Sequence, residues 1–286
     1  MSYGLLDRRR LLAGLAATGL LPRRGHAMDA PWRWGVDYGP ATDPVLARGY
    51  DLLVLEPSHA RPIEPLRRPG ARLLGYISLG EVEKGRAYAA ELRQVGALKA
   101  PNPNWPDARM VDPRHPAWGT LVTDRLIPGI LAKGYDGIFI DTVDTVEALE
   151  RSDPAGHAGM VDATVALLAR IRAGFPAITI MLNRGYAVLP RAAGSIDLLL
   201  GEAMSSRWNF ETKQYEFTSP SDWEWQAARL TGAKAANPAL RLTTLDYWNP
   251  ADPATIAELY GRERRAGFYP YVATLALDRL HPEPQP

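Results

Sequence analysis

Cysteine is absent from the 286 residues, so the chain has neither disulfides nor a thiolate nucleophile. Histidine is scarce. Beyond His26 there are only His59, His115, His157 and His281, none paired at the spacing a metal-dependent hydrolase needs, so no metal or other cofactor is expected. A Gly-x-Ser-x-Gly elbow is missing, which argues against serine-hydrolase chemistry. The first expected strand runs into Gly39-Pro40-Ala41-Thr42 rather than a glycine-rich phosphate loop, which argues against a dinucleotide site. No long linker, low-complexity block or fixed-period repeat divides the chain.

A surplus of positive charge is lacking as well. The 33 basic and 32 acidic residues nearly cancel, and residues 1–27 hold five of the arginines and one aspartate. Without that segment 28 basic and 31 acidic residues remain, a balance near −3, which gives no basic surface for nucleic acid. The segment itself reads as an export signal. Asp7-Arg8-Arg9-Arg10-Leu11-Leu12 is a basic region with paired arginines, and Gly25-His26-Ala27 supplies small residues for cleavage after Ala27. The pattern is of the twin-arginine type, with Asp7 and Ala13 departing from it. The apolar stretch Leu11 to Leu21 is far shorter than the ~20 residues needed to cross a bilayer. We therefore expect a periplasmic or extracellular protein with no stable membrane insertion after signal removal, and one domain over residues 28–286.

What the remaining chain has is a series of apolar runs that end in carboxyl or amide groups. Eight strands are expected: Trp32–Tyr38, Leu52–Glu56, Leu73–Leu79, Gly137–Asp141, Ile178–Asn183, Ile196–Glu202, Leu240–Tyr247 and Phe268–Thr274. Most are continuous rather than alternating, as in parallel strands covered on both faces. Helical periodicity lies between them at Ala117 to Lys133, Met160 to Ala173 and Ala254 to Arg265, the last preceded by the cap Asp252-Pro253 and ended by Gly267. Eight strands in βαβα alternation, with polar residues at nearly every strand end, predict an α/β fold, a (β/α)8 TIM barrel with its site at the C-terminal ends of the strands. The Pro-rich stretch Lys99 to Asp112 is expected to be a surface loop near the mouth, with Asn102, Asn104 and Trp105 within reach of ligand.

Asp is depleted from strands, so the exit of Ile138-Phe139-Ile140 into Asp141 needs a reason. Glycosidic cleavage supplies one. It requires one carboxyl group to protonate the leaving oxygen and a second to serve as nucleophile or base. Asp141 and Glu202, ending the fourth and sixth strands, are the natural pair. Asp37, Tyr38, Glu56, Tyr76, Glu81, Asn183, Asp246 and Tyr247 sit at other strand ends and are candidate substrate contacts. Asp144 is read as a helix cap or a neighbour that steers. Trp208 and Trp248 are candidate stacking platforms for the apolar faces of sugar rings, whereas Trp32, Trp34, Trp118, Trp223 and Trp225 are expected to pack. The carboxylates Glu56, Glu81, Asp144 and Asp246 would make an acidic mouth suited to a cationic amino sugar.

Gly75-Tyr76-Ile77-Ser78-Leu79-Gly80-Glu81, together with Gly134-Tyr135-Asp136-Gly137-Ile138-Phe139-Ile140-Asp141-Thr142-Val143-Asp144 and Leu275-Ala276-Leu277-Asp278-Arg279-Leu280, resembles the family 114 glycoside hydrolases. These are endo-α-1,4-polygalactosaminidases and related barrel hydrolases, and the resemblance runs from Trp34 to Leu280. It implies a (β/α)8 barrel, a retaining mechanism without a metal, Asp141 as nucleophile and Glu202 as acid/base. The partner it implies is a polysaccharide or oligosaccharide substrate. The competing expectation is a catalytically inert barrel that binds carbohydrate, since fold alone does not prove activity.

Overall fold

The structure, a computed structural model, describes residues 32–58, 62–103 and 105–284. The expected export signal over residues 1–27, His59 and Asn104 lie outside the described residues. Eight parallel strands form one sheet in chain order: Trp34–Asp37, Leu52–Leu55, Arg72–Ser78, Gly137–Asp141, Thr179–Asn183, Leu198–Glu202, Arg241–Tyr247 and Tyr269–Ala273. Each pairs with its sequence neighbour among these eight. The first and last strands approach through side chains: Trp34 Nε1 donates to the Tyr269 carbonyl at 2.8 Å. The sheet is thus a nearly closed barrel with helices between its strands, the expected (β/α)8 TIM architecture. Among the described residues no helix is long and apolar enough to cross a membrane.

Nearly every residue of the barrel strands is buried. Helices cover the outer face, and the inner face is filled by side chains, which is why continuous apolar runs serve these strands better than alternating ones. Helices Met160–Gly174 and Pro253–Arg265 fall where periodicity puts them. Asp252 caps the latter by accepting from Thr255 N at 3.1 Å. The helical stretch from Pro116 to Leu131 is interrupted by a π turn at Val122–Leu126. Pro128 lies just beyond it. A proline has no N–H to give and its ring crowds the carbonyl four residues back, so the helix widens ahead of it.

Two excursions stand on the C-terminal mouth. After the third strand, Glu81–Glu83, Leu98–Pro101 and Ala108–Val111 form a three-stranded antiparallel sheet. The expected loop over Lys99 to Asp112 is therefore corrected: its flanks pair with each other and with the segment after Gly80. After the sixth strand comes a β-hairpin, Ser206–Asn209 with Gln214–Phe217, in a stretch for which no strand was expected.

Candidate active site

Asp141 and Glu202 end the fourth and sixth strands and share a neighbour from the fifth. Asn183 Nδ2 donates to Asp141 Oδ1 at 2.9 Å and to Glu202 Oε2 at 2.6 Å. Because one nitrogen reaches both, those two oxygens are separated by no more than the sum of the two distances, 5.5 Å. Asp141 Oδ2 accepts from the Tyr76 hydroxyl at 3.0 Å, and Glu202 Oε1 accepts from the Tyr247 hydroxyl. All four carboxylate oxygens are thus held by donors from the third, fifth and seventh strands.

Burial and the nearby Glu202 charge push the Asp141 carboxyl up to about 6, against the opposing pull of its hydrogen bonds from Asn183 and Tyr76. The phenols around the pair move the same way. Burial, then the charges of Asp141 and Glu202, hold Tyr38 well above the usual tyrosine range. Burial and Glu202 do the same for Tyr247, and burial and Asp141 for Tyr76. These hydroxyls therefore remain hydrogen-bond donors at any physiological pH. Tyr38 and Tyr76 meet edge to face with centroids 5.2 Å apart.

The backbone turns in the same unusual way beside each of the three central residues. Thr142, Arg184 and Ala203, which directly follow Asp141, Asn183 and Glu202, have φ of 62°, 52° and 55°. Left-handed conformations in residues with a Cβ cost roughly 1–2 kcal/mol each and persist only where the surroundings enforce them. The enforcing contacts are visible. Arg184 N donates to the Leu200 carbonyl and Ala203 N to the Leu245 carbonyl, both at 2.8 Å. Thr142 Oγ1 shares a hydrogen bond with Ser78 Oγ at 2.6 Å and accepts from Gly80 N at 2.9 Å. Position 80 must be glycine, since a Cβ there would lie 2.0 Å from the Thr142 carbonyl oxygen. Each strand end is bent so that its last polar side chain stays in the barrel mouth while the chain leaves it.

The other expected site residues divide. Tyr38, Tyr76, Asn183 and Tyr247 gather around Asp141 and Glu202. Glu56 is close enough to contribute to the Tyr38 shift, but Arg86 grips it in a fork at 3.0 and 3.1 Å. Burial would raise this carboxyl; the Arg86 hydrogen bonds and the Ser58 N–H outweigh it and leave Glu56 below its usual range. Glu81 is buried, with Oε1 accepting from Asn102 Nδ2 at 2.7 Å and Thr145 Oγ1 at 2.9 Å. Asp144 is not a cap: it is the first residue of helix Asp144–Ser152, whose capping residue Val143 makes no side-chain bond. It faces Arg184 at 3.7 Å instead.

Asp37 and Asp246 are not brought into this cluster. Asp37 is 2 % exposed and its Oδ1 accepts from Gly39 N at 2.8 Å, folding back on its own turn. Asp246 is 0 % exposed; its Oδ1 accepts from Ser205 N at 2.7 Å and Ser206 N at 2.8 Å, in the layer where helix Pro253–Arg265 supplies Glu263. Burial and the Glu263 charge push Asp246 up to about 8. Side chains alternate along a strand, so when Tyr38 and Tyr247 point inward their neighbours Asp37 and Asp246 point out. The acidic mouth expected from Glu56, Glu81, Asp144 and Asp246 is corrected accordingly: Asp246 lies outside it, and Arg86 and Arg184 face two of the remaining carboxylates.

Trp208 and Trp248 are not brought to the carboxylate pair: Trp208 lies in the hairpin, and Trp248 packs with Ile256, Leu259, Tyr260 and Val272 on the outer side. Trp208 meets Tyr215 edge to face at 4.9 Å, and Trp248 packs on Phe217 at 4.8 Å. Trp225, expected to pack, is half exposed. Sequence reasoning missed Arg86, Thr145 and the hairpin rings Phe210, Tyr215 and Phe217. The hairpin had a signal: aromatic and polar residues alternate on both sides of Glu211-Thr212-Lys213. Among the described residues no group of His, Asp and Glu converges as a metal site would require.

Several solved structures share this architecture. The glycoside hydrolase domain of PelA from Pseudomonas aeruginosa is 25% identical, with a TM-score of 0.76 over 88% of this chain and 100% of that one. Ega3 of Aspergillus fumigatus, solved in complex with galactosamine, is 15% identical, with a TM-score of 0.64 over 90% of this chain and 98% of its own; at that identity it shows a common fold. An uncharacterized protein of Deinococcus radiodurans is 28% identical over 277 residues, 91% of this chain and 85% of that protein. The model of one family matches residues 22–284, and the chain belongs to that family, glycoside-hydrolase family GH114.

Proposed function

We propose that this barrel cleaves an amino-sugar polysaccharide of the α-1,4-linked galactosamine type within the chain, by a retaining mechanism in which Asp141 is the nucleophile and Glu202 the acid/base. The observation that carries this reading is the Asn183 amide between the two carboxylates. Facing oxygens no more than 5.5 Å apart favour the closely spaced carboxyl groups of a retaining enzyme, ~5–5.5 Å, over the wider gap of ~6.5–9.5 Å in which inverting enzymes hold a water.

The chemistry follows from the surroundings. Two carboxyl groups this close favour one proton on the pair over two charges, which is the state from which a retaining step starts. Asp141 attacks the anomeric carbon while Glu202 gives its proton to the departing glycosidic oxygen. Glu202, now ionised, takes a proton from water, which displaces the sugar from Asp141 and restores both groups. Tyr76 and Asn183 orient the Asp141 oxygens; Tyr247 and Asn183 orient those of Glu202.

Support for an amino sugar comes from the family and from the galactosamine bound by Ega3, which shares the fold. Residues 1–27 are read as an export signal, so that the domain 28–286 meets its polymer in the periplasm or outside the cell. Incubation of the protein with galactosamine oligomers of graded acetylation, followed by product analysis, tests the substrate. Asp141→Asn and Glu202→Gln should each lower turnover by at least about 10³-fold with the fold intact, a loss typical of removed catalytic groups. Full activity in both variants would overturn the assignment.

A further inference from the structure

The hairpin after the sixth strand has two unlike faces. Its register sets Trp208 opposite Tyr215 and Arg207 opposite Glu216. Trp208, Tyr215 and Phe217 therefore share one face, where Phe217 and Tyr215 pack on Trp248 at 4.8 and 6.3 Å. The other face is polar: Arg207 pairs with Glu216 at 2.7 Å, and Asn209 Nδ2 donates to Glu216 Oε2 at 2.9 Å. The tip is held as well, with Asn209 Oδ1 accepting from Glu211 N at 2.9 Å and Thr212 N at 3.1 Å. At the root, Asp246 binds the amides of Ser205 and Ser206.

This well-held element carries an apolar ring into water. Phe210 at the tip is 54 % exposed and meets Trp105, also 54 % exposed, edge to face at 5.9 Å. Trp105 belongs to the excursion after the third strand and Phe210 to that after the sixth. Those strands are three places apart around the barrel, so the contact spans the mouth beyond Asp141 and Glu202. Beside it is a shallow surface depression lined by Arg207, Trp208, Asn209, Phe210 and Glu211.

Rings exposed singly need no explanation, but two that meet in water from separate excursions form a local apolar spot. Here they are interleaved with a guanidinium, an amide and a carboxylate instead of forming a continuous apolar patch. That mixture suits a sugar ring, which offers an apolar face to an aromatic side chain and hydroxyls to polar neighbours. A protein partner would be expected to want a larger dry centre. The hairpin also grows from the strand that ends in Glu202, which puts it at the same end of the barrel as the carboxylate pair.

We infer that Phe210 and Trp105, with the polar residues of the hairpin tip, form a second glycan-binding site that grips the polymer away from the bond being cut. The inference rests on the glycosidase reading of the carboxylate pair. Its function is to favour long chains: a polymer fills both sites, whereas a short substrate fills only the cleft.

The test compares Phe210→Ala, Trp105→Ala and the conservative Phe210→Tyr with the parent protein on galactosamine polymer and on a short aryl glycoside of galactosamine. The ratio of kcat/KM on polymer to that on the short substrate should fall about tenfold in each alanine variant and recover in Phe210→Tyr. Binding is measured separately by affinity electrophoresis in polymer, with Glu202→Gln as the background. Adding Phe210→Ala there should weaken the apparent affinity for polymer about tenfold, the residual retardation coming from the cleft. An unchanged ratio with unchanged retardation overturns the second site. An equal loss on both substrates also overturns it, since that marks a general structural effect. If the parent cleaves neither substrate, the glycosidase reading fails, while the retardation experiment still decides the binding site.

Discussion

The Tyr247 hydroxyl donates to Oε1 of Glu202, the oxygen that Asn183 leaves free. Tyr247 thereby fixes the rotation of the proposed acid/base from the seventh strand, while Asn183 fixes it from the fifth. Removing the hydroxyl in Tyr247→Phe leaves the ring in its buried place and takes away one donor. On the reading proposed above, kcat on amino-sugar oligomers should fall about 10–10²-fold, with KM changed much less, because orientation matters most at the transition state. Steady-state kinetics decide this. A variant that changes KM alone would make Tyr247 a binding residue only.

The pH profile should report Asp141. A nucleophile must be ionised, and burial with the Glu202 charge has moved this carboxyl up to about 6. Activity should therefore decline on the acid side at a pH above the ~4 of an ordinary aspartate, because burial, the larger cause, acts whichever group holds the proton. As the acid, Glu202 is uncharged in the reactive state, so Glu202→Gln, a neutral stand-in, should leave this limb where it is. An aryl glycoside with a good leaving group, which needs no acid for the first step, makes that measurable. A limb that moves to lower pH would mean that Glu202 carries the charge and Asp141 the shared proton, which reverses the proposed roles.

Much of this arrangement was legible in the sequence, and the failures share a physical cause. Continuous apolar runs ending in Asp141, Asn183 and Glu202 located the strands, and their polar last residues brought three hydrogen-bonding groups to one place, because a carboxylate or amide is unfavourable within a buried strand. A strand-end position does not, however, say which of two adjacent side chains points inward. Asp37-Tyr38 and Asp246-Tyr247 were both read as site pairs, and alternation admits only one of each. The left-handed turns at Thr142, Arg184 and Ala203 left no trace, since glycine marks such turns in a sequence and none stands at these positions. Arg86 was hidden by distance, 30 residues from the Glu56 it neutralises.

Strain beside the site should be sensitive to Gly80. A methyl group there would sit 2.0 Å from the Thr142 carbonyl oxygen, which is backbone and cannot rotate away. Gly80→Ala should destabilise the fold by roughly 1–3 kcal/mol, the usual cost of overpacking. It should also lower kcat, because Thr142 directly follows Asp141. Thermal unfolding and kinetics on the same sample separate the two effects. An unperturbed kcat would show that the turn after Asp141 can shift without moving the carboxylate.

Asp246 makes the last prediction, one about stability. Its carboxyl lies at about 8 in the folded protein because of burial and Glu263, against ~3.9 in an unfolded chain. Between those values the folded state keeps a proton that the unfolded state has released. Stability from this group is therefore greatest at low pH and declines as pH rises through that window, with the full penalty present above about pH 8. Asp246→Asn keeps an oxygen for the amides of Ser205 and Ser206 and supplies a permanent N–H in place of the proton. The variant should therefore lose less stability than the parent between pH 5 and pH 9. Asp246→Leu should be destabilised at every pH by about 2–4 kcal/mol, because two buried N–H groups lose their acceptor. Denaturant titrations across the pH range measure both. A parent and an Asn variant with parallel stability curves would mean that the pair with Glu263 holds no shared proton.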